Sequence, residues 1–274
     1  SWGVFGSNLL SGHSDTGGAF AGDYFSLTRL IMTQLHDARF DSNFGTLADF
    51  AVRCRGGELP SYAFLEPCYG GTGQNDQHPP ADIRPGEQLI ADVYGWIKAS
   101  PAFARTLFII TYDEHGGCYD HVAPPGGARP PDREGRPGED GFRFDRFGLR
   151  VPCVVINPHI RRGLIARPAG NTPFDHTSII KTVQECFGLE GSLTERDRAA
   201  PDFSGLLGLD RPRAEDLPTV QPLPLEAATG PCHTNDLHRL TCEILQDMTG
   251  ASAPDAAELV AFVQRSYNQV FRRC

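Results

Sequence analysis

The stretch TLFIITYDEHGG, Thr106 to Gly117, joins an apolar run to a group of charged residues. Its first half has β-branched and aromatic side chains at both odd and even positions, which is typical of a strand covered on both faces. Two carboxylates, a histidine and two glycines follow directly. In parallel α/β sheets, ligands bind beyond the carboxyl ends of the strands. The stretch therefore predicts a central strand with a candidate functional site at its end.

Helical and strand patterns alternate around this stretch. Pro85 occupies a favoured first-turn position of an amphipathic helix that precedes the strand. After the charged group, LRVPCVVINP (149–158) predicts a second buried strand. FDHTSIIKTVQECFGL (174–189) then predicts a helix with Asp175 or Thr172 near its start. This order indicates the α/β class with a mostly parallel sheet flanked by helices.

The other segments complete a chain that we expect to fold as one domain, residues 1–274, because neither an internal repeat nor a convincing linker is visible. A long loop rich in Pro, Gly and charge is predicted at Pro124–Gly141. The remaining predicted elements are an extended segment in SYAFLEP (61–67) and helices at Asp23–His36, Thr46–Cys54, Asp236–Met248 and Asp255–Phe271, the last two forming the C-terminal helices (236–271).

The composition argues against some classes of partner and leaves a local basic pocket possible. The formal net charge of -9 argues against a nucleic acid or an anionic membrane held by bulk electrostatics. No apolar run approaches the roughly 20 residues that span a bilayer. The first ten residues lack a basic segment followed by an apolar one, so no export signal is visible.

Eight cysteines occur without a CxxC pair, so a structural zinc site is not expected. They form either disulfides or ordinary buried thiols. Polar surroundings favour disulfides between Cys54 and Cys68, and between Cys232 and either Cys242 or Cys274. Apolar surroundings predict that Cys153 and Cys186 are core thiols.

Asp113, Glu114 and His115 are the ionisable residues nearest the end of the predicted strand. Adjacent carboxylates repel each other unless a cation or hydrogen-bond donors offset the charge, so one hard divalent metal ion is a natural partner. Gly116 and Gly117 allow the backbone to turn sharply towards a ligand. The alternative is a polar loop whose acids accept hydrogen bonds from nearby amides. Two Asp, one Glu and two His within nine residues favour the functional interpretation.

Three further acid–histidine pairs are candidates for roles around this site. In each pair a carboxylate could fix the tautomer of an imidazole. Each pair could also serve only the local fold. The first pair could pin a loop, the histidine of the second could be a surface residue before two prolines, and the acid of the third could be a helix N-cap. The pairs are Asp120 with His121, Asp76 with His78, and Asp175 with His176.

Several ordered blocks of the chain resemble one known family. The blocks are the region from NDQHPP (75–80) to YDEHGGCYDHVAPP (112–125), FGLRVPCVVINPHIRRG (147–163) and FDHTSII (174–180). They resemble the phosphoesterase family of bacterial phospholipases C and acid phosphatase A, to which plant non-specific phospholipases C are similar. The resemblance runs from Leu59 to Leu207, and more loosely from Trp2. It implies an alkaline-phosphatase-like α/β fold and hydrolysis of phosphate monoesters or diesters.

The resemblance also implies roles for single residues. Asp113 and Glu114 match the family's metal-binding pair, with the metal identity open between magnesium, calcium, manganese and zinc. His78 matches a histidine implied to contact the phosphoryl oxygens or to assist the leaving group. His176 matches a position that is better suited to structural support. The substrate that the resemblance implies is a phosphoester such as a phospholipid.

Two blocks of the family, ENRSFDH and a TxPNR block with the Thr or Ser nucleophile, do not occur in the sequence. The chain therefore resembles the C-terminal half of a longer enzyme, and a fragment, one chain of a split protein and a homologue without catalysis all remain open. We expect an N-terminal fragment or chain to complete the site. The leading function is a metal-dependent phosphoester hydrolase; the alternative is a catalytically inactive structural or binding protein. Relatives that are exported suggest a secreted or periplasmic location, with the cytoplasm left open.

Overall fold

The computed structural model describes residues 1–7, 25–70, 73–132, 136–213, 217–221, 236–252, 254 and 258–271. The chain divides into two compact units. The first comprises Ser1–Phe103 and Thr219–Cys274, and the second comprises Ala104–Pro218. Each unit contains both helices and strands, which confirms the predicted α/β class. The prediction of a single domain and of an alkaline-phosphatase-like arrangement stays a prediction.

The first unit contains a three-stranded parallel sheet. Strand β1 (Trp2–Gly6) lies in the middle, between β2 (Phe44–Thr46) and β3 (Tyr62–Leu65). Val4 is opposite Phe44 on one side and Phe64 on the other. The SYAFLEP segment is therefore a strand, as predicted.

Helices α1 (Leu27–Ile31), α2 (Leu47–Gly56) and α3 (Arg84–Ala99) belong to the same unit. Thr46 caps α2 through a capping box with Asp49, and Gly57 ends it in the left-handed conformation at φ 69°. Both ends therefore agree with the prediction, because they depend on residues adjacent in sequence. Helix α3 carries its proline in the first turn, also as predicted.

The predicted helix Asp23–His36 is shorter and broken. Its first two residues lie outside the described residues, and Phe25 instead donates a backbone hydrogen bond to Ser7 O. Ser26 then caps α1. At Met32 the backbone becomes extended, and a 3₁₀ turn follows at Thr33–His36. A pairing with a residue outside the segment therefore sets where the helix begins.

Helices α6 (Asp236–Thr249) and α7 (Leu259–Phe271) complete the first unit. They pack with α1 in a cluster whose most deeply buried members include Phe25, Leu245 and Tyr267. Both C-terminal helices are thus confirmed, although residues 255–257 of the second prediction lie outside the described residues. Within the described parts of the chain, no helix combines the length and the apolar character needed to cross a bilayer.

The second unit contains strands β4 (Phe108–Thr111) and β5 (Cys153–Ile156), with helices α4 (His176–Phe187) and α5 (Glu195–Ala199). The two strands pair antiparallel, with Phe108 opposite Ile156. The prediction of parallel strands is wrong for this pair. Parallel neighbours need a crossover connection, usually a helix, whereas the described residues between β4 and β5 are largely a loop.

Burial and cysteine pairing also differ from the predictions. The side chains of β4 are half-buried rather than buried on both faces. Cys153 and Cys186 are exposed, so the prediction of core thiols is wrong for both. Cys54 and Cys68 are buried thiols that are not joined in a disulfide, and Cys242 is also a thiol. Cys232 and Cys274, the predicted partners of Cys242 and of each other, lie outside the described residues.

Candidate functional site

The acidic turn after β4 brings two carboxylates together at the end of a strand. Asp113 Oδ1 accepts a hydrogen bond from the Glu114 amide at 3.0 Å, and Glu114 Oε2 accepts one from the Gly116 amide at 2.6 Å. Gly116 and Gly117 have φ angles of 63° and 73°, which explains the need for glycine at both positions. The turn is therefore stabilised by its own acids, and both side chains are exposed.

Each of these carboxylates retains a second oxygen. Asp113 Oδ2 and Glu114 Oε1 accept no hydrogen bond from any described residue. His115 Nδ1 lies 4.0 Å from Glu114 Oε2, beyond hydrogen-bond distance. The turn thus presents two carboxylate oxygens, which are potential metal ligands, and an imidazole to solvent.

His176, the first residue of α4, forms a hydrogen bond next to the acidic turn. His176 Nε2 lies 2.7 Å from the carbonyl oxygen of Tyr112, the residue before Asp113. Because a carbonyl only accepts, Nε2 is the donor in this contact. His176 therefore holds the backbone next to Asp113, and the structural role that the resemblance implied for it stays a prediction.

Asp175 acts as the N-cap of α4. Its Oδ1 accepts hydrogen bonds from the Thr177 amide at 2.8 Å and from Thr177 Oγ1 at 2.6 Å, and Ser178 completes a capping box. Arg196 Nη1 lies 3.9 Å from Asp175 Oδ2. Of the two interpretations of Asp175, an N-cap or a carboxylate that fixes the tautomer of His176, the structure contains the N-cap.

Asp120 pins the loop rather than a histidine. Arg150 donates two hydrogen bonds of 2.8 Å to its carboxylate, one from Nε and one from Nη2. This pairing holds the pKa of Asp120 well below its usual range. His121 Nδ1 is 3.7 Å from the same carboxylate and the ring is largely exposed. The sequence did not single out Arg150, because it lies 30 residues further along the chain.

His78 and Asp76 belong to the first unit. The Asp76 carboxylate accepts hydrogen bonds from the His78 amide at 3.3 Å and from Gln74 Nε2 at 2.9 Å. Burial raises its pKa. His78 Nδ1 lies 2.7 Å from Pro79 O, so Nδ1 carries the hydrogen in this contact and Nε2 remains for another partner. Because the acidic turn is in the second unit, a shared site stays a prediction.

The donor set matches part of a metal shell. Carboxylate oxygens are the donors that hard divalent cations prefer. Within the described segments, no group of three or more His, Cys, Asp and Glu side chains is arranged to hold a metal ion. Asp113 and Glu114 therefore fit as two ligands that require others to close the coordination sphere.

Together these features define an α/β protein with an acidic, glycine-containing turn at the end of a strand. The model of the Phosphoesterase family matches residues 1–190. The chain belongs to this family.

Curated relatives agree with this assignment. Non-specific phospholipase C3 of Arabidopsis thaliana is 38% identical over 183 residues, which cover 64% of this chain and 35% of the relative. Non-specific phospholipase C6 of the same plant is 37% identical over 203 residues, covering 69% and 38%. Phospholipase C B of Mycobacterium tuberculosis (strain ATCC 25618 / H37Rv) is 29% identical over 245 residues, covering 80% and 45%. The chain thus spans less than half the length of each of these relatives.

Proposed function

We propose that the complete protein is a metal-dependent phosphoester hydrolase of the phospholipase C type, to which this chain contributes Asp113 and Glu114. The adjacent carboxylates in the turn after β4 carry the proposal, since each keeps one oxygen for a cation. Membership of the Phosphoesterase family and similarity to proteins named phospholipase C support it.

A bound divalent cation would supply Lewis-acid chemistry and neutralise charge on the phosphoryl oxygens. Asp113 and Glu114 would hold it, and His176 would keep their turn in place through the Tyr112 carbonyl. With Nδ1–H donated to Pro79 O, the imidazolium form of His78 would offer Nε2–H to a phosphoryl oxygen or hand that proton to the leaving group, which leaves the ring neutral.

The nucleophile is the remaining requirement. We propose that a Thr or Ser hydroxyl from sequence outside these 274 residues takes the phosphoryl group, because the family's nucleophile block does not occur in the chain. The substrate would be a phospholipid, as the names of the relatives suggest for those proteins. An acid phosphatase acting on monoesters is the second candidate within the same chemistry.

The first prediction concerns metal binding by the chain alone. Titration with Mn²⁺, followed by water-proton relaxation, should show binding that Asp113→Asn and Glu114→Gln each weaken by about tenfold or more, because each removes one anionic ligand. Asp145→Asn is the matched control, since Asp145 is also an exposed acid of the second unit. Equal binding by all four proteins would contradict the assignment of the ligands.

The second measurement is hydrolysis of p-nitrophenyl phosphate and of a phosphocholine ester. We expect little or no turnover from the isolated chain, and turnover that Asp113→Asn abolishes once the N-terminal half is supplied. Turnover by the isolated chain that survives repurification and is lost in Asp113→Asn would show instead that the chain is a complete catalyst. No turnover in either form would favour the non-catalytic binding protein.

A further inference from the structure

The second unit contains a cavity of about 500 Å³ that the acidic turn does not form. Its wall combines the segment before β5 with helices α4 and α5. The volume lies within the range of roughly 300–1,000 Å³ that is typical of small-molecule sites. Its lining includes Phe142, Phe144, Arg146, Thr177, Leu193 and Arg196.

The interior of this cavity is mainly aromatic and aliphatic. The rings of Phe142 and Phe144 meet edge to face, with centroids 5.0 Å apart. Phe144 has a φ of 58°, which is rare for a bulky residue. The backbone therefore accepts strain at the residue that brings the second ring against the first.

Arg196 fixes this strained wall and has few N–H groups left for a ligand. Its Nε donates to Arg129 O at 2.9 Å and its Nη2 donates to Phe144 O at 2.6 Å. The guanidinium also lies 5.6 Å from the centre of the Phe147 ring and faces Asp175. Arg196 is thus a structural tie between the loop and helices α4 and α5.

Arg146 is the second cation of the wall, and its guanidinium, unlike that of Arg196, is not bonded to the described protein. It is exposed, and its guanidinium makes neither a hydrogen bond nor an ion pair with any residue that the structure describes. The cavity therefore offers an apolar interior beside a cation that is available to a ligand. This combination complements an anionic amphiphile.

The cavity is also linked to the candidate site. Thr177 lines it, and the preceding residue, His176, is hydrogen-bonded to Tyr112 O next to Asp113. We propose that the cavity binds the apolar chain of an anionic phosphoester, with Arg146 facing its anionic group. The proposal rests on the proposed function, for which it names the recognition of a long apolar substituent.

The test is binding of decyl phosphate to the chain, measured by calorimetry below the micelle concentration and with EDTA, so that no metal at Asp113 contributes. Inorganic phosphate and decyltrimethylammonium are the matched probes, since one lacks the chain and the other reverses the charge. We expect saturable 1:1 binding of decyl phosphate that is about tenfold or more tighter than binding of either matched probe.

Two pairs of variants locate the binding. Leu193→Trp fills the cavity from a position that is 77% exposed, and it should weaken decyl phosphate binding by about tenfold or more. Leu189→Trp, at an exposed leucine outside the lining, should not. Arg146→Gln should abolish the preference for decyl phosphate over decyltrimethylammonium, whereas Arg143→Gln, at another exposed arginine, should keep it.

Absence of saturable binding, or binding that Leu193→Trp leaves unchanged, would overturn the proposal. The outcome is separable from that of the proposed function. Asp113→Asn should weaken metal binding and abolish hydrolysis by the complete protein, while leaving decyl phosphate binding in EDTA intact. Hydrolysis without decyl phosphate binding in the cavity would reject only this inference. Decyl phosphate binding without hydrolysis would reject only the proposal that the complete protein is a hydrolase.

Discussion

The Glu66 carboxyl group is 1% exposed, and its Oε1 accepts a hydrogen bond from the Thr28 amide at 2.7 Å. Its Oε2 is buried without a hydrogen-bond partner among the described residues. Burial raises the pKa of this group, because desolvation outweighs the hydrogen bonds that favour the anion. At this scale the local environment, rather than the residue type, sets the charge.

A pH-dependent stability follows for the first unit. Between the unfolded and the folded pKa of Glu66, the native state retains a proton that the unfolded chain has lost, so stability falls as the pH rises. Glu66→Gln should remove this fall, whose slope is at most about 1.4 kcal/mol per pH unit. Urea unfolding followed by tryptophan fluorescence is a suitable measurement, since Trp2 and Trp96 both lie in this unit.

The control for this experiment is Glu58→Gln, at an exposed glutamate of the same unit. It should keep the pH slope of the wild-type protein. Identical slopes in wild type and Glu66→Gln would show that Glu66 ionises equally in the folded and unfolded states.

Helix α4 shows which features of an element are local. It begins after Asp175, one of the two starts that the sequence predicted, and it ends at Gly188, within the predicted segment 174–189, because a cap and a left-handed glycine act within a few residues. The direction of β5 was not predictable in the same way. Its partner, β4, lies some 40 residues away, with Thr111 opposite Cys153. Only the loop-like character of the intervening segment indicated that a parallel crossover was absent.

The role of Asp175 as a cap can be tested on this element. Asp175→Ala should lower the local stability of α4 by about 1 kcal/mol, whereas Asp175→Asn should preserve most of it, because asparagine is also a good N-cap. Hydrogen exchange of the α4 amides measures both. A loss of hydrolysis in Asp175→Asn with unchanged exchange would instead assign the acid a role in the reaction.

At the scale of the whole molecule, the cysteines show which parts of the sequence are buried. Cys54, Cys68 and Cys242 are buried thiols, whereas Cys118, Cys153 and Cys186 are exposed thiols. Burial raises the pKa of Cys54 to about 11, which leaves little of the reactive thiolate at neutral pH. The apolar neighbours of Cys153 and Cys186 misled the prediction, because an apolar sequence context does not guarantee burial of every residue.

Among the six cysteines that the structure describes, alkylation of the native chain should therefore modify the three exposed ones first. The three buried cysteines should react only after denaturation, and no peptide linked between Cys54 and Cys68 should be found. Peptide mass spectrometry before and after reduction gives both answers. Rapid native labelling of Cys54 and Cys68 would contradict their burial.

The sequence by itself determined the α/β class, the membership of the family and most helix boundaries. These follow from periodicity, caps and ordered motifs, all of which act over short stretches of chain. Tertiary structure decided which acids are committed to the fold and which remain available. Asp120 is paired with Arg150 and Asp175 caps α4, whereas Asp113 and Glu114 each keep one carboxylate oxygen that accepts no hydrogen bond from any described residue. It also decided the cavity beside α4, because Arg196 joins segments that lie more than 50 residues apart in the chain.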